Sequence, residues 1–141
     1  MTYLTGDFDH QIDQKSRIRI PASLKGTSDK LYFTKGTAGC IFVFTVEAFE
    51  SIIGQLNQIA LGDPVRQKGV RVFLKSAVLV DIDNQGRLMV PSSLRDYAKL
   101  QKDIKICGAG SHIEVWAKEV YDAFYAEEDA DFDTFFNSLG I

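Results

Sequence analysis

The sequence predicts an α+β domain made by internal duplication, and three observations carry that prediction. First, Asp13-Gln14-Lys15-Ser16-Arg17-Ile18-Arg19-Ile20-Pro21-Ala22-Ser23-Leu24-Lys25 lies over Asp83-Asn84-Gln85-Gly86-Arg87-Leu88-Met89-Val90-Pro91-Ser92-Ser93-Leu94-Arg95 at a constant offset of 70. Second, Ile41-Phe42-Val43-Phe44-Thr45 parallels Ile113-Glu114-Val115-Trp116-Ala117, and an acid-bearing helical pattern follows each. Third, both units run through the same periods: short alternating segments, turn residues, then apolar residues at helical spacing.

Each unit opens with an alternating strand, carried by Phe8, His10 and Ile12 in the first and by Val78, Val80 and Ile82 in the second. A turn follows at Gln14-Lys15-Ser16 or Asn84-Gln85-Gly86, the latter with the Asn/Gly chemistry that favours positive φ. Return strands, Arg17–Ile20 and Arg87–Val90, lead into Pro21 and Pro91, which suit the first turn of a short helix ending near Leu24 or Leu94. A second hairpin joins Leu31–Phe33 to Ile41–Phe44, and Ile104–Ile106 to Ile113–Trp116. Val46, Phe49, Ile52, Ile53 and Leu56 then fall at helical spacing behind Thr45 as N-cap, matched by Val120, Tyr121 and Phe124. Asp63-Pro64 starts a further helix through Val70, Phe73 and Leu74. The organisation is a first repeat with its helix (1–62), a linking helix (63–76), a second repeat with its helix (77–125) and an acidic tail (126–141). A unit of roughly 50–60 residues is marginal alone, so the two are expected to interlock, each covering the other's strand edges, as one cooperative domain with internal pseudo-two-fold symmetry.

Composition narrows the function classes. The chain has 141 residues, 45% hydrophobic and 25% charged, with eleven Gly and three Pro, so it is neither disordered nor fibrous. No apolar run approaches the roughly 18 residues a membrane span needs. The opening Met1-Thr2-Tyr3-Leu4-Thr5-Gly6-Asp7 lacks an export pattern, and Cys40 and Cys107 are too few for a disulfide framework. The expected setting is soluble and intracellular. A formal charge of −3 conceals an asymmetry: from residue 118 onward seven acids face Lys118 alone, so the preceding residues are net positive. Basic runs without acids occur at 14–25 and 65–75. Charge of this kind permits a DNA contact without establishing one, since a partner feels the local patch.

Paired Asp-x-x-x-Arg motifs, each followed by three residues and Pro in a duplicated chain of this length, resemble the MraZ family. The likeness extends to Gly6-Asp7-Phe8, to Phe73-Leu74-Lys75-Ser76-Ala77, and to Val80 through Leu100 and Gly108 through Trp116, with 126–141 the least informative part. The resemblance implies tandem AbrB-like (SpoVT/AbrB-like) swapped-hairpin β-barrel repeats with flanking helices. It implies a ring-shaped homo-oligomer that binds double-stranded DNA at direct repeats upstream of its own gene, in the division and cell-wall gene cluster. The role implied is transcriptional, usually repressing, with a cytoplasmic, nucleoid-associated location. The first motif departs from the family pattern, with Ser16 where Gly is usual and Lys25 where Arg is usual.

A two-stranded ribbon fits the major groove, and arginine there reaches phosphate or guanine. Arg17 and Arg19, two apart, project from one strand face beside Lys15 while Ile18 and Ile20 turn to the core. Repeat two is thinner, because Leu88-Met89-Val90 follows Arg87. Lys15, Arg17 and Arg19 are therefore the principal DNA-contact candidates and Arg87 a supporting one. Asp13 and Asp83, with Gly86, Pro21 and Pro91, are structural. Each Asp/Arg pair could equally brace its hairpin as a salt bridge, and the two roles are compatible.

Other signals carry less. Gly108-Ala109-Gly110 sits between strands and reads as a hairpin turn, not a phosphate loop. His10, His112, Cys40 and Cys107 lack metal-ligand spacing, and nothing announces an enzyme or a cofactor. Trp116 and Phe44 read as core. Phe132, Phe135 and Phe136 either cap the core or form an amphipathic segment that docks on a partner, and the acidic tail either repels non-specific DNA or packs against a neighbouring subunit. The alternative function is a protein-interaction module of the same fold, antitoxin-like or scaffolding.

Overall fold

In chain order the elements are β1 (Asp7–Gln11), β2 (Arg17–Ile18), α1 (Ala22–Lys25), β3 (Lys30–Lys35), β4 (Ile41–Phe44), α2 (Val46–Leu56), α3 (Pro64–Ser76), β5 (Val78–Asp81), β6 (Leu88–Met89), α4 (Ser92–Tyr97), β7 (Asp103–Gly108), β8 (Ile113–Ala117), α5 (Lys118–Phe124) and α6 (Glu128–Ser138). They come from a computed structural model that describes residues 3–59 and 61–140. Met1 and Thr2, the start of the segment read for an export signal, lie outside the described residues. Among the described residues no helix is long and apolar enough to cross a membrane.

Local chemistry sets the boundaries. The Thr45 hydroxyl accepts from the Ala48 amide at 3.1 Å, and the Asp63 carboxylate from the Arg66 amide at 3.2 Å with Pro64 in the first turn. Each satisfies an otherwise orphaned helix donor. Pro21 and Pro91 stand one residue ahead of their helices, in extended backbone with ψ near 140°. They therefore cap those helices from outside the first turn. The second helix also runs on past Leu94, to Tyr97.

The fold is mixed α+β around antiparallel pairing. One sheet runs β1-β7-β8-β4-β3-β5, and β2 pairs with β6 in a separate ladder. Exchanging the halves reverses the sheet order and leaves it unchanged, so the pairing has two-fold character. Matched positions face each other at its centre: Phe42 opposite Glu114 in β4·β8, and Ile18 opposite Leu88 in β2·β6. The hairpins β3·β4 and β7·β8 form as expected.

The return strands differ from expectation. They do not fold back on the lead-in strands of their own repeats: β1 pairs with β7 and β5 with β3, while the two return strands pair with each other. Burial accounts for this. A two-residue strand offers too few ladder bonds to hold a hairpin. Laid across the partner repeat, Ile18, Ile20, Leu88 and Val90 all reach 3% exposure or less, each contributing about 1.5–3 kcal/mol. They join Leu24, Leu31, Phe33, Ile41, Val43, Leu94, Ile104, Ile106, Ile113 and Val115 in one cluster drawn from both halves.

Helices cover the opposite face of the sheet. Phe49 stacks on Tyr32 at 3.9 Å, and Phe73 of α3 lies 6.1 Å from both Phe44 and Phe49. Over the other hairpin, Tyr121, Phe124 and Tyr125 surround Trp116. A Cβ at Gly108 would come within 2.4 Å of the Thr5 amide nitrogen, so only glycine lets the N-terminal segment cross there. α6 caps nothing. Every residue from 126 to 140 is exposed, Phe132, Phe135 and Phe136 included, which removes the core-capping reading of those rings.

Candidate nucleic-acid interface

Each Asp-x-x-x-Arg turn is closed by its own aspartate. Asp13 Oδ1 accepts from the amides of Lys15 (2.8 Å) and Arg17 (2.9 Å), and its Oδ2 accepts from Arg17 Nε at 2.8 Å. The backbone adds Asp13 N–H to Arg17 C=O at 3.0 Å and Ser16 N–H to Asp13 C=O at 3.0 Å. Asp83 repeats the pattern with the amides of Gln85 and Arg87 and with Arg87 Nε at 2.9 Å. These contacts hold both carboxyls below the usual carboxylate range, the arginine amide contributing most in each case. The brace uses only Nε, so the Nη groups of Arg17 and Arg87 have no partner among the described residues.

Cross-pairing of the return strands brings the two turns together. Their outward residues are Arg17 and Arg19 from β2 and the residue after it, and Arg87 and Met89 on the partner strand, with Arg17 directly opposite Met89. Arg17 and Arg87 are half-buried, Arg19 is exposed and Met89 is 59% exposed. Arg17, Arg19 and Arg87 share a hollow of about 290 Å³ with His10, Gln11 and Asp13. Lys15 is exposed at the turn apex, where its amide is tied to Asp13. Arg17, Arg19 and Arg87 thus share one neighbourhood with Lys15 on the adjoining turn, and the ribbon is built from two repeats instead of one hairpin. Gly86 sits at φ 78° and Ser16 at φ 63°, so the serine adopts the glycine conformation despite its Cβ.

The family model described as "MraZ protein, putative antitoxin-like" matches residues 73–138. A protein of Thermoanaerobacter pseudethanolicus named transcriptional regulator MraZ is 36% identical over 131 residues, 92% of each chain. One of the same name from Clostridium beijerinckii is 35% identical over 140 residues, covering 96% of this chain and 98% of its own. The chain belongs to the MraZ family. Ser16 is held from the second repeat. Arg95 of repeat two donates to the Ser16 hydroxyl, and the Ser16 carbonyl accepts from the Val90 amide at 2.8 Å. Among the described residues Lys25 Nζ reaches the Gly26 carbonyl, at 3.5 Å.

Three features escape sequence reasoning. The Arg95–Ser16 link joins residues 79 apart, and no periodicity reports it. The approach of Arg87 to His10, Gln11, Arg17 and Arg19 depends on the strand exchange. A third is the ionic cluster at the sheet edge: Lys105 Nζ meets Asp7 at 2.8 Å and Asp9 at 3.1 Å, and the Tyr121 hydroxyl donates to Asp7. Lys105 faces Asp9 in the β1·β7 register, so cross-strand charge pairing is the signal that would have found it. Other polar groups have structural employment. His112 pairs with Glu114 at 3.0 Å, and Trp116 donates to Glu114 at 3.2 Å. Burial pushes the Cys40 and Cys107 thiols up to about 12, so neither is a ready nucleophile at neutral pH. Among the described residues no group of three or more His, Cys, Asp and Glu is placed to hold a metal ion.

Proposed function

We propose that the chain is a sequence-specific, DNA-binding transcriptional regulator. In this reading it represses from direct repeats upstream of its own gene, in the division and cell-wall cluster, as a ring-shaped homo-oligomer in the cytoplasm and nucleoid. The observation that carries the reading is the convergence of Arg17, Arg19 and Arg87 on one outward ribbon face, with Nη donors uncommitted, in a member of a family whose relatives bear the name transcriptional regulator. The two repeats, 1–62 and 77–125 with the linker 63–76, act as one swapped-hairpin barrel unit, and 126–141 is an appendage. Pairing the return strands puts two arginine-bearing turns side by side on a ribbon narrow enough for a major groove about 12 Å wide. Lys15, Arg17 and Arg19 make the principal contacts and Arg87 supports them, because Met89 stands where repeat one has Arg19. Asp13 and Asp83 orient the guanidinium groups and make no phosphate contact. One subunit offers few contacts, and many copies on tandem sites raise affinity through effective concentration.

Binding to duplex DNA from upstream of the reading frame, against a scrambled control and across a salt series, tests this. Affinity for the native sequence should fall steeply with salt, because neutralising phosphates releases counterions, and Arg17→Ala should cost more than Arg87→Ala. Equal affinity for scrambled DNA, or a flat salt response, contradicts the reading. Loss of DNA retention altogether favours a protein-interaction module.

A further inference from the structure

Two helices leave apolar side chains uncovered, and they carry opposite charge. On α6, Phe132, Phe135, Phe136 and Leu139 (40–59% exposed) recur at i, i+3, i+4 and i+7, so they form one stripe. Asp129 and Asp133 flank it on one side and Asp131 on the other, and no basic residue occurs after Lys118. An 11-residue helix is marginal in water by itself, so this stripe calls for a surface. On α3, Phe73 docks inward on Phe44 and Phe49. The outward side carries Val65 (83% exposed), Lys68, Val72 (42% exposed) and Lys75 at i, i+3, i+7 and i+10, with Arg71 alongside and no acid between 64 and 76.

We propose that α6 of one copy lies along the outer face of α3 of a second copy. The aromatic stripe covers Val65 and Val72, and Asp129, Asp131 and Asp133 meet Lys68, Arg71 and Lys75. This deepens the homo-oligomeric part of the proposed function and rests on that reading. A second copy is the fitting occupant because acid and base complement each other while every residue of α6 is left exposed by its own body. α3 packs on β3, whereas α6 follows α5, which packs on β7 and β8 on the far side of the sheet order. The two patches differ, so the contact is heterologous. Each added copy presents a fresh α3 and a fresh α6, and assembly ends only when the rotation closes a ring.

Two full-length charge-reversed chains test it by light scattering at matched concentration. One carries Asp129→Lys, Asp131→Lys and Asp133→Lys, making both helices basic. The other carries Lys68→Glu, Arg71→Glu and Lys75→Glu, making both acidic. Every changed position is exposed, so both chains should keep the wild-type circular-dichroism spectrum and still melt cooperatively, at a temperature lowered only by the loss of assembly. The expected result is assembled wild type, each variant alone weakened in assembly at least tenfold, and an equimolar mixture that assembles again in alternation. Phe132→Ser with Phe136→Ser, which leaves charge untouched, should weaken assembly likewise. Assembled wild type with either reversed chain still assembled alone overturns the α6–α3 contact and leaves the oligomeric reading standing. A monomeric wild type overturns both. A mixture that stays monomeric overturns pairing between copies. An acidic-α3 chain that assembles normally but loses DNA affinity assigns α3 to the duplex and overturns the proposal.

Discussion

The turn at Asp13–Arg17 and the turn at Asp83–Arg87 share one backbone and differ in what stands on it. Ser16 and Gly86 occupy the same left-handed conformation, which for a residue with a Cβ ordinarily costs about 1 kcal/mol more than for glycine. Ser16 offsets that cost with its hydroxyl, which accepts from Arg95, and Gly86 has no side chain to use. The comparison teaches that the aspartate enforces the turn, through two amides and a guanidinium, and that the positive-φ residue is then free to vary. It also separates fold from function. Ile18 and Leu88 are matched and both buried, whereas the outward pair, Arg19 and Met89, is where the repeats part.

The largest expected effect tests the shared half of that comparison. Ile18→Ala and Leu88→Ala should each lose about 2–5 kcal/mol in urea denaturation, and the two losses should agree within about 1 kcal/mol because the residues face each other in one ladder. Strongly unequal losses would break the equivalence of the repeats. A smaller effect probes the serine. Ser16→Ala keeps the strained φ and drops the Arg95 contact, so thermal melts should show a loss of about 1 kcal/mol. Ser16→Gly loses the contact but relieves the φ, and should come out near neutral. Smaller still is the acid response. Asp13 and Asp83 titrate below their unfolded value of about 3.9, so their stabilisation is fully present above that pH and is lost as pH falls through the depressed native values. Asp13→Asn and Asp83→Asn should flatten the acid limb of a stability–pH curve to similar extents, and a limb unchanged by both would remove the brace from the account.

Much of this was legible in the sequence because duplication doubles each signal. The offset of 70 places both turns and both proline-led helices, the hairpins follow with small length changes, and Thr45 and Asp63 mark helix starts by capping chemistry alone. The strand exchange was not legible at the level of pairs. Alternation in Arg17–Ile20 says which side chains turn inward but not which strand lies beside them, and a within-repeat hairpin satisfies the same pattern. The arginine face was therefore readable as a list of residues and unreadable as a place. Arg87 and Met89 join Arg17 and Arg19 only through the pairing of the two return strands. Likewise the phenylalanines of 132–136 read as a stripe, while their lack of any covering surface emerges only from the fold.

Arg19 offers the most direct test of the account, because unlike Arg17 and Arg87 it braces no turn and has no partner among the described residues, so its loss should leave the fold intact. Fluorescence anisotropy on the upstream duplex across a salt series should show Arg19→Ala weakened roughly tenfold, with the salt slope reduced by about one, and Met89→Ala little changed at the same melting temperature. Unchanged affinity and slope for Arg19→Ala would contradict the claim that this ribbon face grips DNA.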